Sequence, residues 1–67
     1  MKNRLKVLRA EYDMTQQKLA TSIGVSRQTI NSMEKGKYVP STVLALKISQ
    51  LFGTSVNEIF ELTDEDS

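Results

Sequence analysis

Four polar side chains fall at positions 27, 28, 31 and 32: Arg27, Gln28, Asn31 and Ser32. On a helix this i, i+1, i+4, i+5 spacing gathers them into one stripe, opposite the apolar Ile30 and Met33. Their chemistry suits the edges of nucleic-acid bases. Arginine forks onto the two acceptors of guanine, and glutamine or asparagine pairs bidentately with adenine in the major groove. The same stripe on an ordinary helix is only a solvated polar face, so residue types alone leave both readings open. Gln16 stands in the first turn of a preceding helical stretch. The amides there lack intrahelical partners and sit at the positive end of the helix dipole, where a phosphate fits and the glutamine adds a donor. Ser41, at the start of a later helix, offers a similar place for an anion.

Other chemistries lack their groups. The 67-residue chain has no cysteine and no histidine. That removes disulfides, thiolate or imidazole metal sites, cysteine nucleophiles and histidine general bases. It has no glycine-rich phosphate loop, and a domain this small leaves no room for a catalytic pocket. Glu58 and Glu61 are spaced as solvated acids on one helix face rather than as a catalytic pair. The expectation is therefore a protein without enzymatic activity, metal or cofactor. The longest apolar run, Val43 to Leu46, is far shorter than the roughly 20 residues that span a bilayer. The basic N-terminus lacks a signal peptide's apolar stretch, so a cytoplasmic location and no membrane partner are expected.

The net charge of +1 conceals a strong polarity. Residues 1–47 carry all nine lysines and arginines against Glu11, Asp13 and Glu34, a net +6. Residues 48–67 carry no base and five acids, Glu58, Glu61, Asp64, Glu65 and Asp66, a net −5. Such a division suits a basic body facing a polyanion with an acidic end held away from it, although both ends could equally be only solvated.

The elements that must position these residues are short helices, marked by regular punctuation. Leu5 and Leu8 among Lys2, Arg4, Lys6 and Arg9 predict an amphipathic first helix ending near Tyr12 and Asp13. Thr15 caps a second, with Leu19, Ala20 and Ile23 inward and Gly24 as its stop. Ser26 caps a third over about 27–35, with Gly36 beyond it. Pro40 keeps the residue before it out of helix, and Ser41 caps a fourth whose core stripe is Leu44, Ala45, Ile48, Leu51 and Phe52. Gly53 closes that helix, and Thr54 or Ser55 starts a short fifth with Val56, Ile59 and Phe60. No strand periodicity or hairpin signal is present. The chain reads as one all-α domain over 1–60, a compact five-helix bundle, with a frayed acidic tail over 61–67. Only Gly24, Val25 and Ser26 separate the second helix from the third, the layout of a helix-turn-helix in which the second helix of the pair is presented outward.

The stretch from Thr15 to Ser41 resembles the Cro/cI-type helix-turn-helix family of transcriptional regulators. Thr15, Gln16, Leu19, Ala20, Gly24, Val25, Ser26, Ile30, Glu34, Gly36, Pro40 and Ser41 match the family pattern, and the likeness extends over about residues 4–60. The resemblance implies a lambda-repressor-like domain and a regulator, in all expectation a repressor, that binds double-stranded DNA. It implies base contacts from Arg27, Gln28, Asn31 and Ser32. Phosphate contacts would come from Gln16, Thr29, Lys35, Lys37, Tyr38 and Ser41. It also implies a structural ion pair between Arg9 and Glu34, joining the first helix to the third. One short helix reads few base pairs, so a homodimer on a palindromic operator is expected. With the basic half kept free, the dimer interface is expected at Val43, Leu46, Val56, Phe60 and Leu62. The alternative is a protein-interaction module, an antitoxin or adaptor gripping a partner with the same fold.

Overall fold

Four hydroxyl side chains start four of the five helices of the computed structural model, which describes residues 1–67. Thr15 Oγ1 accepts from the Lys18 amide at 3.0 Å, and Ser26 Oγ from that of Thr29 at 3.1 Å. Ser41 Oγ accepts from Leu44 at 3.2 Å and Ser55 Oγ from Glu58 at 3.3 Å. Each satisfies an amide that the helix itself leaves unpaired, typically a stabilisation of about 1 kcal/mol. The helices are α1 (Leu5–Glu11), α2 (Gln16–Ile23), α3 (Arg27–Glu34), α4 (Thr42–Phe52) and α5 (Val56–Ile59). None is long and apolar enough to cross a membrane.

Every buried residue is apolar. Leu5 and Leu8 of α1 meet Leu19, Ala20 and Ile23 of α2, Ile30 and Met33 of α3, and Leu44, Ile48 and Phe52 of α4. Ile59 and Phe60 complete this core. Leu51 is not in it. The buried line of α4 runs through Leu44, Ile48 and Phe52 and is centred on the Ile48 side, which leaves Leu51 at the margin and 38% exposed. Tyr12 closes the edge of the core. Its ring meets Phe52 edge-on with centroids 5.1 Å apart, and its hydroxyl donates to the Phe52 carbonyl at 2.9 Å.

The two ends of the chain differ from the sequence expectation. Lys2–Asn3 (β1) and Phe60–Glu61 (β2) pair antiparallel, with Lys2 opposite Glu61 and Asn3 opposite Phe60. Residues 61–67 are therefore not a frayed tail. After the strand, Asp64–Asp66 form a 3-10 turn in which Asp66 accepts from both the amide and the hydroxyl of Thr63. The Met1 amino group lies 3.3 Å from the same carboxylate. Asn3 ties this end to the rest: its Nδ2 donates to the Met33 carbonyl at 2.7 Å and its Oδ1 accepts from the Leu5 amide at 3.2 Å. One side chain thus joins the end of α3 to the start of α1. Strands of two residues have no periodicity to detect in a sequence.

Candidate nucleic-acid interface

Gly24 has a φ of +77°, which turns the chain immediately after α2 at little steric cost. The Val25 amide donates back to the Ala20 carbonyl at 3.0 Å, and its half-buried side chain packs on the core in the angle between α2 and α3. Ile30 and Met33 are fully buried, which fixes the rotation of α3 about its axis. That rotation puts Arg27 and Gln28 on the surface, and neither side chain makes a hydrogen bond within the chain. Asn31 and Ser32 are half-buried one turn further on. Thr29 is half-buried, with its hydroxyl 2.9 Å from that of Ser26, so it belongs to the cap of the helix as well as to the edge of the stripe.

Lys35, Lys37 and Tyr38 follow α3 and are all exposed. Their backbone is tied to the helix end: the Lys37 amide donates to the Ser32 carbonyl at 2.9 Å and Gly36 to Met33 at 3.0 Å. Gly36 has a φ of +75°, and a Cβ there would lie 3.2 Å from the Met1 carbonyl, so the first residue of the chain approaches closely at this point. Asp64 and Glu65 line a surface hollow with Lys35 and Gly36. Part of the acidic end therefore sits beside the basic shoulder of α3 instead of being held away from it, because the β1–β2 pairing folds the tail back along the N-terminus.

Arg9 and Glu34 meet between α1 and α3. Arg9 Nε donates to Glu34 Oε2 at 2.5 Å and Nη2 to Oε1 at 3.1 Å, while Nη1 reaches the Met14 carbonyl at 2.9 Å. Both side chains are largely buried, 14% and 7% exposed. Burial opposes the charge of Glu34. The hydrogen bonds from Arg9 and Gln16, with the charges of Arg9 and Lys6, outweigh it and hold the carboxyl below its ordinary range. The hydrogen bond to Glu34 likewise raises the already high pKa of Arg9.

The family resemblance implies a phosphate contact for Gln16, whose side chain points inward to this cluster. Its Nε2 donates to Glu34 Oε1 at 3.0 Å and to Asn31 Oδ1 at 3.3 Å. Both N–H groups are thereby engaged. The backbone amides of Gln16 and Gln17 open α2 without intrahelical partners, and they remain donors of the kind an anion needs. Neither this link nor the contacts of Asn3 and Tyr12 are legible in the sequence. Nothing in the spacing of 3, 12, 16, 31 and 34 signals contact, because it depends on how the helices cross.

On α4, Val43 and Leu46 are 64% and 52% exposed and lie one turn apart. Leu62 is 76% exposed, beside an apolar hollow lined by Met1, Val56 and Phe60. Val56 is half-buried, and Phe60 is taken almost wholly into the core. 

The sequence pattern of the helix-turn-helix family matches residues 5–59. The chain is 52% identical to an uncharacterized HTH-type transcriptional regulator of Methanocaldococcus jannaschii, over 98% of this chain and 100% of the relative. It is 47% identical to the HTH-type regulator YgzD of Bacillus subtilis, with the same coverage. A third relative, from Archaeoglobus fulgidus, is 46% identical over 98% of this chain and 94% of its own length. With α2 and α3 joined by a glycine turn, an outward polar stripe and these relatives along its whole length, the chain belongs to the Cro/cI-type helix-turn-helix family of DNA-binding transcriptional regulators.

Proposed function

We propose that the protein is a sequence-specific repressor that reads double-stranded DNA through the major groove with α3, as a homodimer on a palindromic operator. The observation that carries this reading is the orientation of α3. Burial of Ile30 and Met33 turns Arg27, Gln28, Asn31 and Ser32 to the other side of the helix, and the cations Lys35 and Lys37 follow at its end. Arg27 and Gln28, with no partners of their own, are the leading base readers, and Asn31 and Ser32 extend the contact one turn along the groove. Lys35, Lys37, Tyr38, Thr29, Ser41 and the start of α2 at Gln16 track the phosphates and set the docking position. Arg9 and Glu34 keep α1 and α3 in register. A homodimer would use Val43, Leu46, Val56, Leu62 and the small exposed edge of Phe60, and would act in the cytoplasm by occupying the operator against the transcription machinery.

Selection of bound oligonucleotides from a random duplex pool tests the reading directly. The expected product is a palindrome whose half-sites lie one helical turn apart. Its affinity should fall steeply with salt, with a log–log slope of roughly 0.9 per phosphate contacted. A pool that shows no enrichment, with no salt dependence of binding, would overturn the reading and favour an adaptor that grips a protein instead.

A further inference from the structure

Hydrogen-bond polarity is forced at each step from Arg9 to Asn31. A guanidinium only donates, and an ionised carboxylate only accepts. Arg9 donates to both oxygens of Glu34, so Glu34 faces Gln16 as an acceptor and Gln16 must turn its NH2 toward it. The second N–H of that same NH2 reaches Asn31, which must answer with its carbonyl oxygen. The Asn31 amide is therefore not free to exchange its two ends. Its Nδ2 makes no hydrogen bond within the chain, and no side-chain nitrogen or oxygen is left both buried and unpaired, so that donor keeps some contact with solvent.

Resting on the DNA-reading function proposed above, we infer that Gln16 is a specificity-determining residue. Polarised by the Arg9–Glu34 ion pair, it holds the Asn31 amide with its donor toward the groove, so that the base beneath Nδ2 must supply an acceptor. Guanine, adenine and thymine all present acceptors on their major-groove edges, whereas cytosine presents only the N4 donor. Gln16 acts through Asn31 as a positioning residue, and its own backbone amide stays free for phosphate. An asparagine whose amide could flip would accept from cytosine N4 as readily as it donates to guanine. The held amide rejects it.

The experiment measures dissociation constants for a panel of duplexes in which each operator position carries each base pair, for the full chain and three variants. Asn31→Ala identifies the position Asn31 reads as the one whose preference it flattens. At that position the wild-type protein should bind cytosine about fivefold to a hundredfold more weakly than the best base. Gln16→Met removes both donors while filling similar space. It should bring cytosine to within about twofold of the others there, leaving every other position unchanged. Asn31→Asp keeps an acceptor for Gln16 but has no donor for the base, and should make cytosine the preferred base at that position. A merely structural role for Gln16 would weaken all duplexes alike. If Gln16→Met retained the cytosine rejection, or Asn31→Asp weakened all four bases equally, the inference would be overturned while the DNA-reading function stood. A wild-type protein that binds every duplex equally would instead overturn that function.

Discussion

Arg27 and Lys37 carry the same charge on the same exposed surface, yet their places imply different work. Arg27 stands in the first turn of α3, where its five donors have no partner in the chain and the proposed reading would aim it into the groove. Lys37 lies beyond the helix on a backbone tied to Ser32, where on the proposed reading a compact ammonium would meet phosphate without distinguishing bases. Arg27→Ala should lower affinity for the operator by about 1–3 kcal/mol and leave random duplex nearly unaffected. Lys37→Ala should weaken operator and random DNA alike and reduce the salt slope by about one. Fluorescence anisotropy on both duplexes at several salt concentrations separates the two. If the variants lost the same amount on both, the division into reading and positioning residues would fail. The residue types that make this division were readable in the sequence because a helical stripe is a local pattern. The inward turn of the Gln16 side chain was not. Its partners lie 15 and 18 residues away, and only the packing of α2 against α3 brings them together.

Helices α2, α3 and α4 were legible almost to the residue, since each begins at a hydroxyl cap and stops at or just before a glycine, signals that act within one turn. The ends of the chain were not legible. Lys2 and Glu61 are 59 positions apart in the numbering, and two-residue strands form only because Asn3 and Phe60 are already held by α1, α3 and the core. The link between α1 and α3 offers a test of how the elements are kept together. Glu34→Ala leaves a largely buried guanidinium without its counter-ion, a loss of about 3–5 kcal/mol, visible in urea unfolding. The same carboxylate makes stability depend on pH. Its folded pKa lies below the ordinary value of about 4.3, so the unfolded chain takes up the proton first. This contribution is complete above that ordinary value and is lost as the pH falls through the lower folded one. Asp66, held down chiefly by the Thr63 amide, works in the same direction from an exposed position. Thermal unfolding of the wild type should therefore fall as the pH goes from 5 toward 3, and the fall should be shallower in Glu34→Ala. Parallel profiles would show that the acid sensitivity arises elsewhere.

At the scale of the whole molecule, the proposed function asks one small surface to serve both DNA and a second copy. The acidic end is the first complication, because Asp64 and Glu65 share a hollow with Lys35 beside α3. Their charges oppose an approaching phosphate, so Asp64→Asn with Glu65→Gln should tighten binding to every duplex, most at low salt where screening is weakest. Unchanged affinity at low salt would show that these carboxylates do not reach the interface. The dimer is the second question, and the dimensions of the domain bear on it. Two reading helices entering successive major grooves lie about 34 Å apart. One protomer measures 32 × 23 × 21 Å, so a separation of that size calls for two copies rather than one. A standard interface takes about 800 Å² from each partner, a sizeable part of a surface of 4565 Å². Few apolar groups are available to make it. Leu62 is the most exposed large apolar side chain, and it stands next to a hollow lined by Met1, Val56 and Phe60. A two-fold axis near this point would seat the Leu62 of each copy in the hollow of its partner. Burying a leucine completely is worth about 1.5–3 kcal/mol, and symmetry doubles the gain. Val43 and Leu46, one turn apart on α4, would widen the same kind of contact. Sedimentation equilibrium of the wild type should therefore show a dimer, and Val43→Glu or Leu62→Asp should shift it toward monomer by placing a charge in the apolar seam. A wild-type monomer at about ten times the concentration that saturates DNA, or unchanged association in both variants, would exclude this interface.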